Sequence, residues 1–470
     1  MQTTAVSTTS AWGEYRRILA GLCLALAGSL AASPAAAGEL RVTLDGEAGV
    51  RSDGNYGQVA QTGLTEEEIE NQELARAGLN LLLSWTQQQE RFQIALGYSP
   101  SYERSLDDEE LAGTAHRLDL AVRGELTRRL FFQARERLLS SPNIDLYQPV
   151  IAGEPVAVPR RGDQLLHGLD VSLTHELSRR FSSFVGATHS RRSFEDEELF
   201  DTETLGGQIG AAWNWTEEQV FEATAGASVF EYENGRETDV RTLGVAYQHP
   251  LGQDTLLRVE AGSFWVDAAR PGRPRVIDPD PVGPDGEPLP PIVEDLPDEE
   301  SKTGWRGGVR LTQERRLFNW NVGYRHDVSP GYGIGRESEV DAAFLGISTN
   351  IGRRLLLGLD GNASRQQEIV GSLGESDDAE ERDLEFAAGT ARLSWTILPA
   401  VRLTGGYSRI WQSSKVEPFD NLSYDRYFLG LNFRLFSTGE TPRSPGELRR
   451  REEPAEPEEE IEEDEQPDAQ

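Results

Sequence analysis

The 470-residue chain is 37% hydrophobic with a mean hydropathy of -0.51, which excludes a bundle of membrane helices, each needing a run of about 20 apolar residues. A formal net charge of -33 argues against nucleic acid as a partner. One cysteine, Cys23, leaves no disulfide framework, and 47 glycines are many for a helical protein of this length.

The first element is a targeting segment. Arg16 and Arg17 precede an apolar run from Ile18 to Leu30, and Ala35, Ala36 and Ala37 offer a small-residue cleavage site before Gly38. Residues 1–37 therefore read as a signal peptide. Leu22 is too large for the position before a lipidated cysteine, so Cys23 leaves with the leader.

From Gly38 to Phe436 polar and apolar residues alternate with period two. The stretch predicts an all-β fold, a single antiparallel transmembrane β-barrel of about 18 strands. The first strand falls near Leu40–Val50, before a polar loop over Arg51–Asn71. In the next, Leu79, Leu81, Leu83 and Trp85 share one face, with Arg76, Gly78 and Asn80 on the other. Phe92, Ile94, Leu96 and Tyr98 repeat the spacing. Leu118, Leu120 and Val122 oppose Arg117, Asp119 and Arg123, and Leu169, Val171 and Leu173 oppose Asp170, Ser172 and Thr174. Later, Trp305, Gly307, Val309 and Leu311 oppose Arg306, Gly308, Arg310 and Thr312. Leu355, Leu357 and Leu359 oppose Gly358, Asp360 and Asn362. The segments Phe181–His189 and Ala342–Asn350 alternate less cleanly. The stretch Tyr424–Phe436 puts Tyr427, Leu429, Leu431, Phe433 and Leu435 on one face and Arg426, Gly430, Asn432 and Arg434 on the other. It predicts the closing strand, and with it the signal for insertion by the barrel assembly machinery.

Tight and long connections alternate. The tight ones include Thr127–Arg129, Ser178–Arg180, Glu217–Glu218, Gly252–Asp254, Glu314–Arg316, Gly352–Arg354 and Leu398–Ala400. The long ones centre on Pro142–Asp163, Ala268–Ser301, Val328–Arg336, Gly371–Arg382 and Ser413–Leu422. Short periplasmic turns and longer outside loops are the habit of outer-membrane barrels. An even strand count then places both termini in the periplasm of a Gram-negative bacterium and the long loops outside the cell. Trp85, Trp213, Trp215, Trp265, Trp305, Trp395 and Trp411 gather near strand ends, as a girdle at the two lipid headgroup levels requires. Outer-membrane lipid and lipopolysaccharide are thus expected around the wall. A large soluble β-sandwich or solenoid also alternates, but does not account for the leader, girdle and loop asymmetry together.

Two segments fall outside that pattern. Ala268–Ser301 is proline-rich and acidic and reads as an outside loop, because proline cannot donate to a central ladder. Residues 437–470 form an acidic, low-complexity periplasmic tail expected to be disordered, with 13 acids and 4 arginines from Glu440 onward. The tail serves either solvation or tethering of a basic partner.

No catalytic constellation is legible. The six histidines, His116, His167, His175, His189, His249 and His326, are scattered along the chain. His175-Glu176 is followed by Arg179 where a zinc helix needs its second histidine, and no nucleophile elbow or phosphate loop occurs. Prolines spoil the calcium-loop spacing of Asp278–Glu287. No enzyme activity, metal or cofactor is expected. The informative set lies on the face opposite the apolar one. It comprises Arg76, Arg117, Arg123, Arg135, Arg258, Arg306, Arg310, Arg325, Arg392, Arg402, Arg426 and Arg434, against fewer acids: Asp119, Asp170, Glu222, Glu260 and Asp360. Either these arginines line a lumen that favours anions, or they pair with acids across strands and close it.

Two stretches, ARLSWTILPAVRLTGGYSRIWQSS (Ala391–Ser414) and NLSYDRYFLGLNFRLF (Asn421–Phe436), carry a family resemblance. They resemble β-barrel porins associated with exopolysaccharide operons, including the barrel proteins of exosortase/PEP-CTERM systems. The resemblance implies an outer-membrane pore exporting an anionic exopolysaccharide with a periplasmic export protein as partner. The alternatives are a general diffusion porin for small solutes and a structural or adhesive surface barrel.

Overall fold

The computed structural model describes residues 38–53, 72–87, 91–106, 112–144, 160–194, 200–216, 219–278, 292–330, 337–369, 383–414 and 422–438. The expected signal peptide and nearly all of the acidic tail lie outside the described residues. The first six strands are β1 (Gly38–Asp53), β2 (Gln72–Gln87), β3 (Phe92–Ser105), β4 (Ala112–Thr127), β5 (Leu130–Ile144) and β6 (Arg160–Glu176). Then come β7 (Phe181–Phe194), β8 (Thr202–Asn214), β9 (Val220–Tyr232), β10 (Glu237–Gly252), β11 (Thr255–Asp278) and β12 (Ile292–Glu314). The wall ends with β13 (Phe318–Ser329), β14 (Ser338–Ile351), β15 (Leu355–Glu368), β16 (Asp383–Leu398), β17 (Val401–Ser414) and β18 (Leu422–Ser437).

Each strand pairs antiparallel with its sequence neighbours, and β1 pairs with β18, so the eighteen-stranded sheet closes on itself. At the seam Gly49 faces Gly430 and Asp45 faces Arg434, and Leu435 has no opposite residue because the register shifts between Leu44 and Asp45. A backbone bond from Thr438 to Val42 (2.9 Å) carries the pairing just past β18. Tyr424–Phe436 is therefore the closing strand.

Burial distinguishes the two faces. Leu205 and Val245 are 61% exposed, whereas Phe264 and Val266, of the opposite strand parity, are 0% exposed. The first set looks outward and the second into the barrel. Six phenylalanines each cover the glycine directly across the ladder: Phe92 on Gly124, Phe184 on Gly210, Phe264 on Gly304, Phe344 on Gly323, Phe428 on Gly406 and Phe433 on Gly46. The missing side chain on one strand leaves room for a ring from the next, as expected where the cross-strand pair is the unit of sheet packing.

The outer face is banded. Near the tight turns, Trp85 lies edge-on to Phe92 (6.0 Å), and Phe221 stacks on Tyr247 (4.5 Å) beside Trp213 and Trp215. Toward the long connections the same face turns polar, with pairs His189–Glu203 (3.0 Å), Arg241–Asp267 (3.8 Å), His326–Asp341 (2.9 Å) and Arg409–Asp425 (3.1 Å). Ten residue steps separate Trp213 from Glu203 on β8. At the tilt usual in barrels that is roughly 25 Å, the height of an outer-membrane apolar band.

The proline-rich segment departs from expectation. β11 runs on to Asp278 and β12 begins at Ile292, so a paired hairpin replaces much of the expected loop. The prolines are tolerated by position. The register skips Pro271 and Pro297 at a bulge, and Pro274 lies beyond Ala269, where β10 stops and β11 pairs with β12 alone. A strand with a free edge has no donor to lose there. Gly406→Val, whose added carbon meets the Phe428 ring and the Ala391 carbonyl at 2.6 Å, is expected to destabilise the barrel by about 1–3 kcal/mol. Gly389→Ala, with nothing within 4 Å, is expected to stay within about 0.5 kcal/mol of the parent, both read from unfolding midpoints in detergent.

Candidate functional site

The period-two alternation that turns leucines outward turns charged side chains inward, and the register joins them into rungs. On β1–β3, Arg76 lies between Glu47 (3.1 Å) and Glu103 (3.5 Å), and Arg434 of β18 reaches Asp45 (3.3 Å) across the closing seam. On β9–β13, Arg258 bridges Glu222 (3.2 Å) and Glu260, while Arg306 (3.0 Å) and Arg325 (2.7 Å) converge on Asp327. A hollow in the inner wall is lined by these six groups. Arg310 stands over the Phe344 ring, 5.5 Å from its centre. On β15 and β16, Arg392 meets Asp360 at 3.2 Å. Arg426 of β18 is 3% exposed.

The β4–β5 wall is different. Arg117 bonds Asp119 at 2.7 Å, but Arg123, Arg135 and Arg137 make no ion pair or hydrogen bond among the described residues. The ladder sets Arg137 opposite Asp119, Arg135 opposite Ala121 and Arg123 opposite Gln133, so the three form one patch over two neighbouring strands. Arg402, at the start of β17, is likewise without such a partner.

The sequence reading undercounts the inner acids. Asp45, Glu47, Glu103 and Asp327 share the inner face and each is paired to arginine. The inner wall is thus a mixed ladder with a few free arginines, in place of a plainly basic lining. Arg41, Arg51, Arg137 and Arg192 also fall on that parity and were not among the sequence candidates. Arg137 is masked in the sequence by Glu136, an acid at an outward position of the Ala134–Arg137 run, where it meets His167 at 3.3 Å. In the long-connection half, apolar side chains replace charges: Phe230, Tyr232, Val240, Phe264, Val266 and Ala268 form a buried cluster with Ile369.

No family model matches the chain, and no curated protein matches it. Among solved structures it is similar to a BenF-like porin from Pseudomonas fluorescens Pf-5, at 12% identity over 85% of this chain and 99% of that one, with a TM-score of 0.44. It is similar also to Pseudomonas aeruginosa OccK2 (OpdF), at 11% identity over 84% and 98% with a TM-score of 0.43. Acinetobacter baumannii OccAB2 stands at 9% identity over 85% and 98%, TM-score 0.42. The barrel assignment rests on this chain's own closed register.

Two carboxylates with contrasting surroundings give a check on the rungs. Asp327, 12% exposed and shared by two arginines, contrasts with Asp425, 36% exposed on the outer face. Asp327→Ala is expected to cost about 1–3 kcal/mol and Asp425→Ala under about 1 kcal/mol, compared as unfolding midpoints of detergent-solubilised protein.

Proposed function

We propose that the chain is an outer-membrane channel of porin type through which small anionic solutes pass. The observation that carries the reading is the inner patch of Arg123, Arg135 and Arg137, three guanidinium groups on adjoining strands with no acid bound to them among the described residues. Arginine stays charged at all working pH values and grips carboxylates with two parallel bonds, so unneutralised arginines on a pore wall lower the barrier for anions. Arg310 and Arg402 extend the same property to β12 and β17. The other inner arginines are held by acids and contribute rigidity more than attraction.

The placement follows from the banded outer face. Its apolar zone suits the hydrocarbon of a Gram-negative outer membrane, with aromatic residues near the tight turns and, toward the long connections, charged pairs interleaved with Trp305, Tyr324 and Tyr407, where lipopolysaccharide headgroups would meet them. Short turns at one end and long connections at the other support an orientation with the turns and both ends of the barrel toward the periplasm. Exopolysaccharide export, implied by the family resemblance, gains no support from the comparisons, in which a BenF-like porin is named and no exporter is among the structures above. The small-solute reading is the better supported of the two.

Reversal potentials in planar bilayers under a salt gradient test it. The parent channel is expected to prefer chloride over potassium, and Arg123→Ala/Arg135→Ala/Arg137→Ala to reduce that ratio by about two-fold or more. An unchanged ratio in a conducting triple variant refutes the role of the patch. Absence of any conductance from the parent barrel would point instead to a structural or adhesive surface protein.

A further inference from the structure

We propose that four tight turns of the barrel are binding sites for the phosphate headgroups of anionic phospholipids in the periplasmic leaflet. The inference rests on the membrane placement given under the channel reading above.

Each of these turns carries two consecutive arginines. Arg128 and Arg129 join β4 to β5, and Arg179 and Arg180 join β6 to β7. Arg315 and Arg316 join β12 to β13, and Arg353 and Arg354 join β14 to β15. All eight are exposed. Arg315 lies 3.4 Å from Asp254 of the β10–β11 turn. The side chains of the other seven make no ion pair or hydrogen bond among the described residues.

The turns also carry bare apolar side chains. Leu126 and Leu177 precede the first two pairs, Leu317 follows the third, and Ile351 precedes the fourth. These four are between 47% and 60% exposed. Phe181, next to Arg180, faces Trp213 of the aromatic band, which sets the arginines one step beyond that band. Leucine and arginine side by side match a bilayer boundary. The short apolar group reaches acyl chains, and the long cation snorkels to phosphate, whose oxygens a guanidinium can take two at a time.

The two ends of the barrel treat cations differently. Toward the long connections the outward Arg241, Arg365 and Arg409 each have an acid, Asp267, Glu385 and Asp425. At the turns nearly all the positive charge is left open, in a chain of formal net charge -33. Charge complementarity points to an anionic surface. The pairs form two arcs, β4–β7 and β12–β15, and within each arc the turns lie two strands apart, roughly 10–13 Å along the rim. A row in the plane of one leaflet fits successive lipid headgroups. A soluble acidic chain would leave the leucines uncovered.

Native mass spectrometry of the full chain, released from micelles doped equally with phosphatidylglycerol and phosphatidylethanolamine, counts the lipids retained. The parent is expected to keep phosphatidylglycerol by about five-fold or more, and glutamine at all eight positions to bring the ratio to about one. Arg123→Ala/Arg135→Ala/Arg137→Ala, on the inner wall, is expected to keep the parent's ratio. A folded eight-site variant with the parent's ratio overturns the proposal, and so does loss of the preference in the inner-wall variant. Should the eight-site variant fail to fold, Arg179→Gln/Arg180→Gln and Arg353→Gln/Arg354→Gln are compared separately. An unchanged ratio in both then overturns it. Polyglutamate bound by a parent with no lipid preference also overturns it, and assigns the turns to an acidic peptide. Bilayer conductance reads the channel separately: a parent that retains phosphatidylglycerol yet passes no current overturns the channel reading and leaves the lipid sites standing.

Discussion

Backbone hydrogen bonding is the constraint on which this molecule depends. A wall in hydrocarbon must satisfy every amide and carbonyl from within, and for strands only a closed ladder does so. The β1–β18 pairing supplies that closure, and its details show the cost of fitting one more strand into a ring. The extra Leu435 is absorbed where the register shifts, and Gly46 admits Phe433 where two strands approach. Thr438 still bonds to Val42, so the seam runs one residue past β18.

Once the ladder is closed, the chain has freedom only in what each face carries. Outside, a uniform requirement acts on all strands, so leucine, valine and tryptophan recur with little variation. Inside, two demands compete. Charged groups crowded in a narrow space must be neutralised, which the rungs from Arg76, Arg258, Arg306 and Arg434 achieve. A channel with a preference must leave some charge unneutralised, and among the described residues a few arginines are left so. An acid placed between Arg135 and Arg137 on the chain points outward to His167, which spares both of them.

The outer face was legible in the sequence and the inner face only in part, for physical reasons. Runs such as Leu79–Trp85 or Leu118–Val122 face lipid on one side and water on the other, so their alternation is clean. Ala342–Asn350 blurs because Ala342 and Phe344 of β14 are apolar yet face inward, Ala342 buried and Phe344 over Gly323. The strand content of Ala268–Ser301 was hidden by prolines that stand at a bulge and on a free edge, where they do no harm. The pairing of Arg76 with Glu47, or Arg434 with Asp45, depends on the register of strands distant in sequence. So does the contact between Arg236 and Glu337, 101 residues apart.

The two kinds of inner arginine occupy different parts of the ring. Arg123, Arg135 and Arg137 lie on β4 and β5, whereas Arg258, Arg306 and Arg325, held by acids, lie on β11 to β13. β5 and β12 stand seven strands apart in an eighteen-strand circuit, so the two sets nearly face one another. Arg123 and Arg135 sit within a few residues of the tight turn at Arg128 and Arg129. The electrostatic consequence differs between the two walls. A guanidinium already bound to a carboxylate presents little net charge to a third group, while one without an acid keeps its field. The asymmetry of charge across the barrel therefore comes from where acids are missing, and not from where arginines are placed.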